Sequence, residues 1–132
     1  MPKFPLELDS DLIVLDVEFK GRNRRTIPMR MALDTGANMT TIPLEMGILL
    51  GLKIERPVDR IEMLTASGIE YDVRTVTVPK IKFFNFELKN VKALCHSLHP
   101  RSVAVGLLGM NVLSLLDIRL NIPKNFIEIS RP

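Results

Sequence analysis

The sequence contains few of the residues that build disulfides, stacking surfaces or membrane spans. Its 132 residues include no tryptophan, one tyrosine, two histidines and a single cysteine, Cys95, so no disulfide can form within the chain. The N-terminal residues lack the apolar core of a signal peptide, and no uncharged apolar run approaches the roughly 18 residues of a membrane span. We therefore expect a soluble, cytoplasmic protein with no membrane partner.

Positive charge is only slightly in excess, with a formal net charge of +3. The densest basic run, residues 20–25, has no interleaved aromatic residues, so a charged hairpin tip explains it better than a nucleic-acid site. Cys95, His96 and His99 lie close together, but the chain has no fourth Cys or His to complete a zinc site. We expect no nucleic-acid partner, no metal and no cofactor.

The overall composition is that of an ordinary folded domain. Hydrophobic residues make up 46% of the chain and charged residues 25%. The length fits one domain with a modest core, and no linker, repeat or low-complexity stretch interrupts it. We predict a single domain that spans residues 1–132.

Alternating apolar residues predict a mostly β fold. Residues 12–19 and 26–33 alternate in the manner of strands and flank a turn signal at residues 21–23, which predicts a hairpin. Further strands are predicted at residues 59–65, 69–78, 81–84, 86–94 and 126–129, with a loop at 95–102. Two short helices are predicted at residues 43–50, ended by Gly51, and at 111–116, capped by Asn111. This pattern is typical of a small closed, barrel-like domain.

The most informative stretch is Leu33-Asp34-Thr35-Gly36-Ala37, which follows the second predicted strand directly. An Asp-Thr-Gly match arises by chance in a chain of this length on the order of a few per cent of the time. Its setting raises its significance, because the strand presents the carboxylate at its end. Residues 38–43 can then turn back into another strand. The motif occurs once, so one chain supplies one such carboxylate.

A second element, residues 105–111, places two leucines and a glycine before a predicted helix. Alone, this pattern fits the start of a helix in the core. Taken in order, the Asp-Thr-Gly strand, the hairpin at residues 65–68, the Leu-Leu-Gly segment and the closing strand resemble the retropepsin family. These are the single-domain, dimeric aspartic proteases of retroviral type and their cellular relatives. The likeness spans residues 12–129 and implies the retropepsin fold.

The resemblance implies a homodimeric aspartic endopeptidase that acts on peptide or protein substrates. Asp34 would be the catalytic carboxylate, and the two Asp34 side chains of a dimer would activate one water. Thr35 would cross-link the two active-site loops, and Gly36 would let the substrate backbone approach. The remaining implied positions support the catalytic loop (Ala37, Leu107, Leu108 and Gly109) or bind substrate through a flap and its surroundings (Asn38, Ala66, Ser67, Gly68 and Ile69).

Two features depart from the viral pattern. Viral members carry an acid just after the Gly-Ala and an arginine just after the Leu/Ile-Gly, whereas this chain has Asn38 and Met110. The flap tip contains one glycine, Gly68, where viral flaps carry several. The apolar residues expected to line the cleft are Ile42, Ile69, Val105 and Leu107.

Two other readings remain open. The first is a retropepsin-fold dimer with weak catalysis that acts as a peptide-binding or scaffold module, and the second is an unrelated β domain with a chance motif. The complete Asp-Thr-Gly motif favours the enzyme. Two carboxylates crowded into one site destabilise the protein, and a pure binding module has no need of them, so their presence points to use in catalysis.

The expected dimer interface comprises the terminal segments, residues 1–8 and Phe126–Ser130. These strands would otherwise be open edges of a sheet.

Overall fold

The computed structural model describes residues 2–56, 63–65, 68–70 and 73–132, and these are mostly β-structure. The elements in chain order are β1 (Lys3–Pro5), β2 (Glu7–Asp9), β3 (Leu12–Lys20), β4 (Thr26–Leu33), β5 (Thr40–Ile42), α1 (Leu44–Leu49), β6 (Met63–Thr65), β7 (Gly68–Glu70), β8 (Arg74–Phe83), β9 (Phe86–Cys95), β10 (Gly106–Leu108), α2 (Met110–Leu113), β11 (Asp117–Asn121) and β12 (Phe126–Ser130). The predicted mostly β fold is confirmed. None of the described helices is long and apolar enough to cross a membrane.

Six of the strands close into a barrel. Their order is β3-β4-β10-β5-β9-β8, and β8 pairs back onto β3, while β2 extends the sheet beyond β3. The β10–β4 and β5–β9 pairings are parallel, and the other pairings in the ring are antiparallel. The predicted closed barrel is therefore confirmed. Strand β10 lies between β4 and β5, directly beside the chain segment that joins those two strands.

The hairpin of β3 and β4 forms because alternate residues of both strands are apolar and turn inward. Val17, Phe19, Met29 and Met31 are buried, and the two strands pair from Val14–Ala32 to Lys20–Thr26. Burying an apolar side chain of this size contributes about 1.5–3 kcal/mol to folding. This hairpin, predicted from the sequence, fixes the position at which β4 ends, immediately before Asp34.

The core also contains residues from the short strands. Ile42 in β5 and Leu108 in β10 are fully buried in the same apolar cluster as Ile81 and Ile129. The prediction that Ile42 lines a cleft is therefore wrong. As part of a three-residue strand paired on both sides, it points into the barrel.

Strand β8 runs without a break through Pro79, where the sequence predicts a gap between two strands. Val78 pairs with Val91 and Lys80 pairs with Lys89, so the register is the same on both sides of the proline. The face of β8 that points into the core changes at this proline: Val76 and Val78 are buried before it, and Ile81 and Phe83 are buried after it. A proline lacks only one N–H donor, and the ladder bonds of its neighbours are sufficient to continue the strand.

Helix α1 ends at Leu49, and Gly51, which the sequence predicts as its stop signal, follows the C-cap residue Leu50. This glycine has φ +65°, which favours a residue without a side chain. The Gly51 N–H donates to the carbonyl of Ile48, and the Leu52 N–H donates to that of Gly47. This pair of bonds is the Schellman motif, which satisfies the last carbonyls of the helix. The helix begins one residue later than predicted, with Pro43 at its N-cap.

The predicted pair of strands before and after residues 66–67 is also present. In the short hairpin of β6 and β7, Thr65 lies opposite Gly68 and Met63 lies opposite Glu70. Residues 59–62 of the first predicted strand and 71–72 of the second lie outside the described residues. The second predicted strand, residues 69–78, corresponds to parts of two strands: residues 69–70 belong to β7 and residues 74–78 form the start of β8.

A smaller sheet of order β1-β12-β11 contains both terminal segments. Strand β12 is its central strand, and its Ile127 and Ile129 are buried in the main core. Phe4 in β1 stacks on Phe84, with 4.4 Å between the ring centroids. This contact ties the N-terminal strand to the barrel.

A second tie lies in β2. The Arg30 guanidinium of β4 lies 2.6 Å from the Glu7 carboxylate and 3.6 Å from that of Asp9, both in β2. It also lies 3.8 Å from the carboxylate of Asp16 in β3. The hydrogen bond from Arg30 to Glu7 raises the pKa of the guanidinium. Arg30 therefore links three adjacent strands.

Candidate active site

Asp34 lies at the carboxyl end of β4, in the loop that leads to β5. It is half-buried, and its backbone N–H donates to the carbonyl of Leu108 at 3.0 Å. Its side-chain Oδ1 accepts the Gly36 N–H at 2.8 Å, and its carbonyl accepts the Ala37 N–H at 3.3 Å. A tight turn over residues 34–37 thus holds one carboxylate oxygen in a fixed direction.

The two residues after Asp34 face solvent. Thr35 and Gly36 are both exposed. A Cβ atom at Gly36 would lie 3.1 Å from Asp34 Oδ1. A side chain at this position would therefore crowd the carboxylate that its own N–H supports, which gives a local reason for glycine.

Strand β10 lies against this loop, as the resemblance implies for the Leu-Leu-Gly segment. Leu107 pairs with Ala32 in the parallel β4 and with Thr41 in the antiparallel β5. Leu108 is fully buried, and Leu107 is half-buried. The structure thus brings these residues together with Asp34, although more than seventy residues separate them in the chain.

Glycines permit this close approach. A Cβ at Gly106 would lie 2.3 Å from the Thr41 carbonyl oxygen, and one at Gly109 would lie 2.5 Å from the Met39 carbonyl carbon. Real Cβ atoms do not come so close to backbone. Any larger residue at either position would push β10 or the start of α2 away from the loop.

The segment after β10 continues along the loop through backbone hydrogen bonds. The Met110 N–H donates to the carbonyl of Ala37 at 2.8 Å, and the Asn111 N–H donates to that of Asn38 at 3.0 Å. The side chains of Asn38 and Met110 are exposed. At the positions where viral members carry an acid and an arginine, these backbone hydrogen bonds join the same two segments here.

Asn111 has a different role from the predicted helix cap. Helix α2 starts at Met110 with Gly109 at its N-cap, so Asn111 lies within the first turn. Its Oδ1 accepts the Thr40 N–H at 2.7 Å and the Thr40 hydroxyl at 2.9 Å. Sequence reasoning missed Thr40. The one sequence signal for its role is that a hydroxyl residue, Thr40, begins the strand that follows the Asp-Thr-Gly loop.

The predicted flap residues are only partly covered by the structure. Gly68 and Ile69 belong to β7, where they pair with Thr65 and Leu64. Ala66 and Ser67 lie outside the described residues. The described backbone therefore comprises the two strand segments that flank the predicted flap tip.

The segment Cys95-His96 with His99 forms the end of β9 and the following loop. His99 Nδ1 accepts the Arg101 N–H at 3.1 Å, and burial raises the pKa of the Cys95 thiol. Within the described ranges, no three His, Cys, Asp or Glu side chains come together as a metal-binding group.

The barrel, the Asp-Thr-Gly loop at the end of β4 and the glycine-containing strand beneath it define a protein of the aspartic protease class. The family model described as gag-polyprotein putative aspartyl protease matches residues 17–115, and the chain belongs to this family. The structure is similar to the crystal structure of a retropepsin-like aspartic protease from Rickettsia conorii. That match has a TM-score of 0.65 and 22% sequence identity, and covers 96% of this chain and 88% of that chain.

At that identity the structural likeness shows the retropepsin-like fold. No curated protein matches the sequence. The family and the fold together support a protease function.

Proposed function

We propose that this chain is an aspartic endopeptidase that works as a homodimer, with one Asp34 from each subunit. The observation that carries the proposal is the fixed carboxylate of Asp34, with Oδ1 bonded to the Gly36 N–H and its loop bonded to Leu108. The Asp-Thr-Gly motif occurs once in the chain, so the second carboxylate has to come from a second copy. The proposed substrates are peptides or unfolded proteins.

The proposed chemistry follows from placing two carboxylates about 3 Å apart, where they cannot both ionise and therefore share one proton. The ionised carboxylate removes a proton from a water molecule, and the protonated one donates a hydrogen bond to the scissile carbonyl. The water oxygen bonds to the carbonyl carbon and gives a tetrahedral intermediate. The carboxyl group that took the proton from the water transfers it to the amide nitrogen, and the C–N bond breaks as the intermediate collapses to a carboxylic acid and an amine. The pair is then left sharing one proton, as at the start.

The loop geometry suits this chemistry because it restricts motion of the reacting group. The loop residues 34–38 receive or donate three backbone hydrogen bonds to residues 108–111. A carboxylate held in this way pays little orientational entropy when it meets its twin and the water. The exposed Thr35 is available to contact the same residue of a second copy across the two-fold axis.

The dimer contact that we propose involves the edge of β11. Within the described residues, β12 is paired on both sides by β1 and β11, so the Phe126–Ser130 part of the predicted interface offers no free edge within one chain. Strand β1 has only three residues and ends at Pro5, which lacks an N–H donor. Strand β11 has five residues, and apolar Leu120 and neighbouring Leu115 and Ile122 are exposed around it. A second copy would cover this edge.

The hairpin of β6 and β7 is proposed as the flap, with its tip at residues 66–68. A hairpin that folds over the substrate excludes water, which strengthens the electrostatic interactions of the carboxylates. Half-buried Leu107 in β10 and exposed Val105, which precedes that strand, are the described apolar side chains that we expect to favour hydrophobic substrate residues.

The test is cleavage of a denatured protein and of a peptide library by the purified chain and by Asp34→Asn. The amide is nearly isosteric with the carboxyl group but cannot act as a base, so we expect turnover to fall to background while the fold is retained. Mass spectrometry of the products gives the cleavage positions, and circular dichroism checks the fold.

Asp11→Asn is the matched control. Asp11 is exposed in a turn with φ +65°, which asparagine adopts readily, so this variant should cleave like the parent. Equal turnover by Asp34→Asn and the parent would refute the catalytic assignment. A folded parent dimer that binds library peptides without cleaving them would favour the binding module instead.

A further inference from the structure

We propose that Thr40 and Asn111 are positioning residues that set the geometry of Asp34, although neither carries out the chemistry. This inference rests on the proposed endopeptidase function for its kinetic consequences. Its structural basis is a side-chain network that joins the buried Thr40 at the start of β5, the half-buried Asn111 in the first turn of α2 and strand β9. None of these contacts involves the carboxylate directly.

A single peptide group connects the network to the active-site loop. The carbonyl of the Leu108–Gly109 peptide accepts the Asp34 N–H at 3.0 Å. The N–H of the same peptide donates to the Thr40 hydroxyl oxygen at 3.1 Å. Because a peptide group is planar and rigid, any rotation that releases one of these bonds disturbs the other. The Thr40 hydroxyl therefore fixes the acceptor to which Asp34 is bonded.

Asn111 in turn fixes the Thr40 hydroxyl. Its Oδ1 accepts both the N–H and the hydroxyl of Thr40, so the hydroxyl hydrogen is committed and its lone pair faces Gly109. The Asn111 Nδ2 donates to the carbonyl of Lys92 in β9 at 2.8 Å. Since a backbone N–H can only donate, the contact with Thr40 also determines which side-chain atom of Asn111 is the oxygen.

The burial of Thr40 makes it possible to distinguish a positioning role from a role in substrate binding. Its side chain is fully buried, so it has no surface to offer a substrate. Thr40 also pairs with Ala93 of β9, next to Lys92, so β5 and α2 are both anchored to that strand. Loss of the hydroxyl should therefore change the rate of the chemical step and leave substrate affinity nearly unchanged.

The experiment compares Thr40→Val, which keeps the shape and removes the hydroxyl, with Thr40→Ser, which keeps the hydroxyl. Because an active-site displacement of about 1 Å can cost on the order of 100-fold in rate, we expect Thr40→Val to lower kcat by about 10- to 100-fold with KM within about twofold. We also expect the pH limbs of kcat/KM to move, since the two carboxylates would no longer share a proton in the same geometry. Thr40→Ser should restore both quantities.

Asn111→Ala provides a second, independent variant and should show the same kinetic signature. Thr40→Val combined with Asn111→Ala should cost less than the product of the two single effects, because both substitutions remove the same network. All rates are expressed per folded dimer, with folded fraction from circular dichroism and dimer fraction from sedimentation. This normalisation removes any effect of simple instability.

Amide hydrogen exchange gives a readout that does not depend on activity. The Asp34 N–H should exchange faster in Thr40→Val than in the parent and at the parental rate in Thr40→Ser. Parental kcat, pH profile and Asp34 exchange in folded Thr40→Val would overturn the inference. A parent that does not cleave would overturn the proposed function, and the exchange measurement would still decide whether Thr40 positions Asp34.

Discussion

Ala37 lies in the proposed catalytic loop, at a position where pepsin-like enzymes commonly carry a hydroxyl residue. It is half-buried, and its N–H and carbonyl are bonded to Asp34 and Met110. A methyl group cannot donate a hydrogen bond to a carboxylate. The proposed pair of Asp34 carboxylates therefore lacks one source of stabilisation for its ionised form.

We expect a bell-shaped dependence of kcat/KM on pH, with its optimum between weak acid and neutrality. Ala37→Ser and Ala37→Thr add a donor to the ionised form and should move the acid limb to lower pH, because a carboxylate pair that is easier to ionise becomes active sooner. Ala37→Val matches threonine in shape without the hydroxyl and should leave the limb in place. The measurement is kcat/KM across the pH range in which the dimer remains folded. A parent optimum below about pH 3, near pepsin's values, would contradict this account.

The function of a residue could be predicted from the sequence where it belongs to a recognisable motif. It could not be predicted where a common residue type makes a contact with a residue far away in the chain. Asp34 and Gly36 were singled out because they belong to the Asp-Thr-Gly motif, and their catalytic roles stay predictions. The structure adds that the Gly36 N–H donates to the Asp34 carboxylate. Asn111 was interpreted as a helix cap, since asparagine often caps helices, but its partner Thr40 lies 71 residues earlier. Nothing in the local sequence encodes that pairing.

The close approach of β10 to β5 depends on Gly106, and substitution of this glycine tests that contact. A Cβ added at Gly106 would lie 2.3 Å from the Thr41 carbonyl oxygen and 2.9 Å from Met31 Cε, so β10 would have to move away from β5. We expect Gly106→Ala to lower the free energy of unfolding by about 1–3 kcal/mol, the usual cost of overpacking a core. Urea unfolding followed by circular dichroism measures the change.

Gly47→Ala is the matched control for that substitution. Gly47 is buried in α1, and its nearest neighbour would be the flexible end of Ile54 at 3.2 Å. Replacing a helical glycine by alanine gains about 1 kcal/mol of helix propensity, so this variant should be as stable as the parent or more so. Equal effects of the two substitutions would show that contact with β5 does not constrain Gly106.

The long elements followed from the sequence, whereas several of the short ones did not. The β3–β4 hairpin and the end of α1 at Gly51 were predicted from alternation and from turn residues, and the structure confirms them. Strands β10 and β11 were not predicted as strands, because three or five residues show little periodicity and their pairing partners are remote. Pro79 suggested a break that the continuous register of β8 overrides.

At the scale of the whole molecule, the proposed dimer predicts that one exposed leucine matters more than another. Leu120 in β11 is 40% exposed and lies at the proposed contact edge, while Leu12 in β3 is 39% exposed and lies away from it. A lysine on a strand edge opposes pairing with another strand. We expect Leu120→Lys to weaken dimerisation by about tenfold or more, given about 1.4 kcal/mol per tenfold change, and Leu12→Lys to have little effect.

Sedimentation equilibrium and activity over a dilution series measure this difference. Activity of Leu120→Lys should be lost at higher protein concentration than activity of the parent, and excess protein should restore it. Identical dimer constants for the two lysine variants would place the contact elsewhere. A fully active parent monomer would end the dimer proposal.

The sequence was sufficient to predict the class of architecture but not its strand order. Alternation along residues 12–33 and the later strands indicated a closed β domain, and closure through the β3–β8 pairing is observed. The insertion of β10 between β4 and β5 was not predictable, because it depends on which distant edges remain free after the hairpins form. That insertion creates the arrangement around Asp34.

The position of β10 also has a consequence for how the protein acquires its activity during folding. Gly106 lies opposite Met31 in a parallel pairing, which joins parts of the chain that are synthesised far apart. Non-local pairings of this kind form slowly, because the intervening chain has to lose its freedom before the contact is made. The hairpin of β3 and β4 can assemble early, but the Asp34 loop gains its three hydrogen bonds to residues 108–111 only when β10 and the start of α2 dock. A newly made chain should therefore remain inactive until β10 has docked, which limits cleavage by incompletely folded molecules.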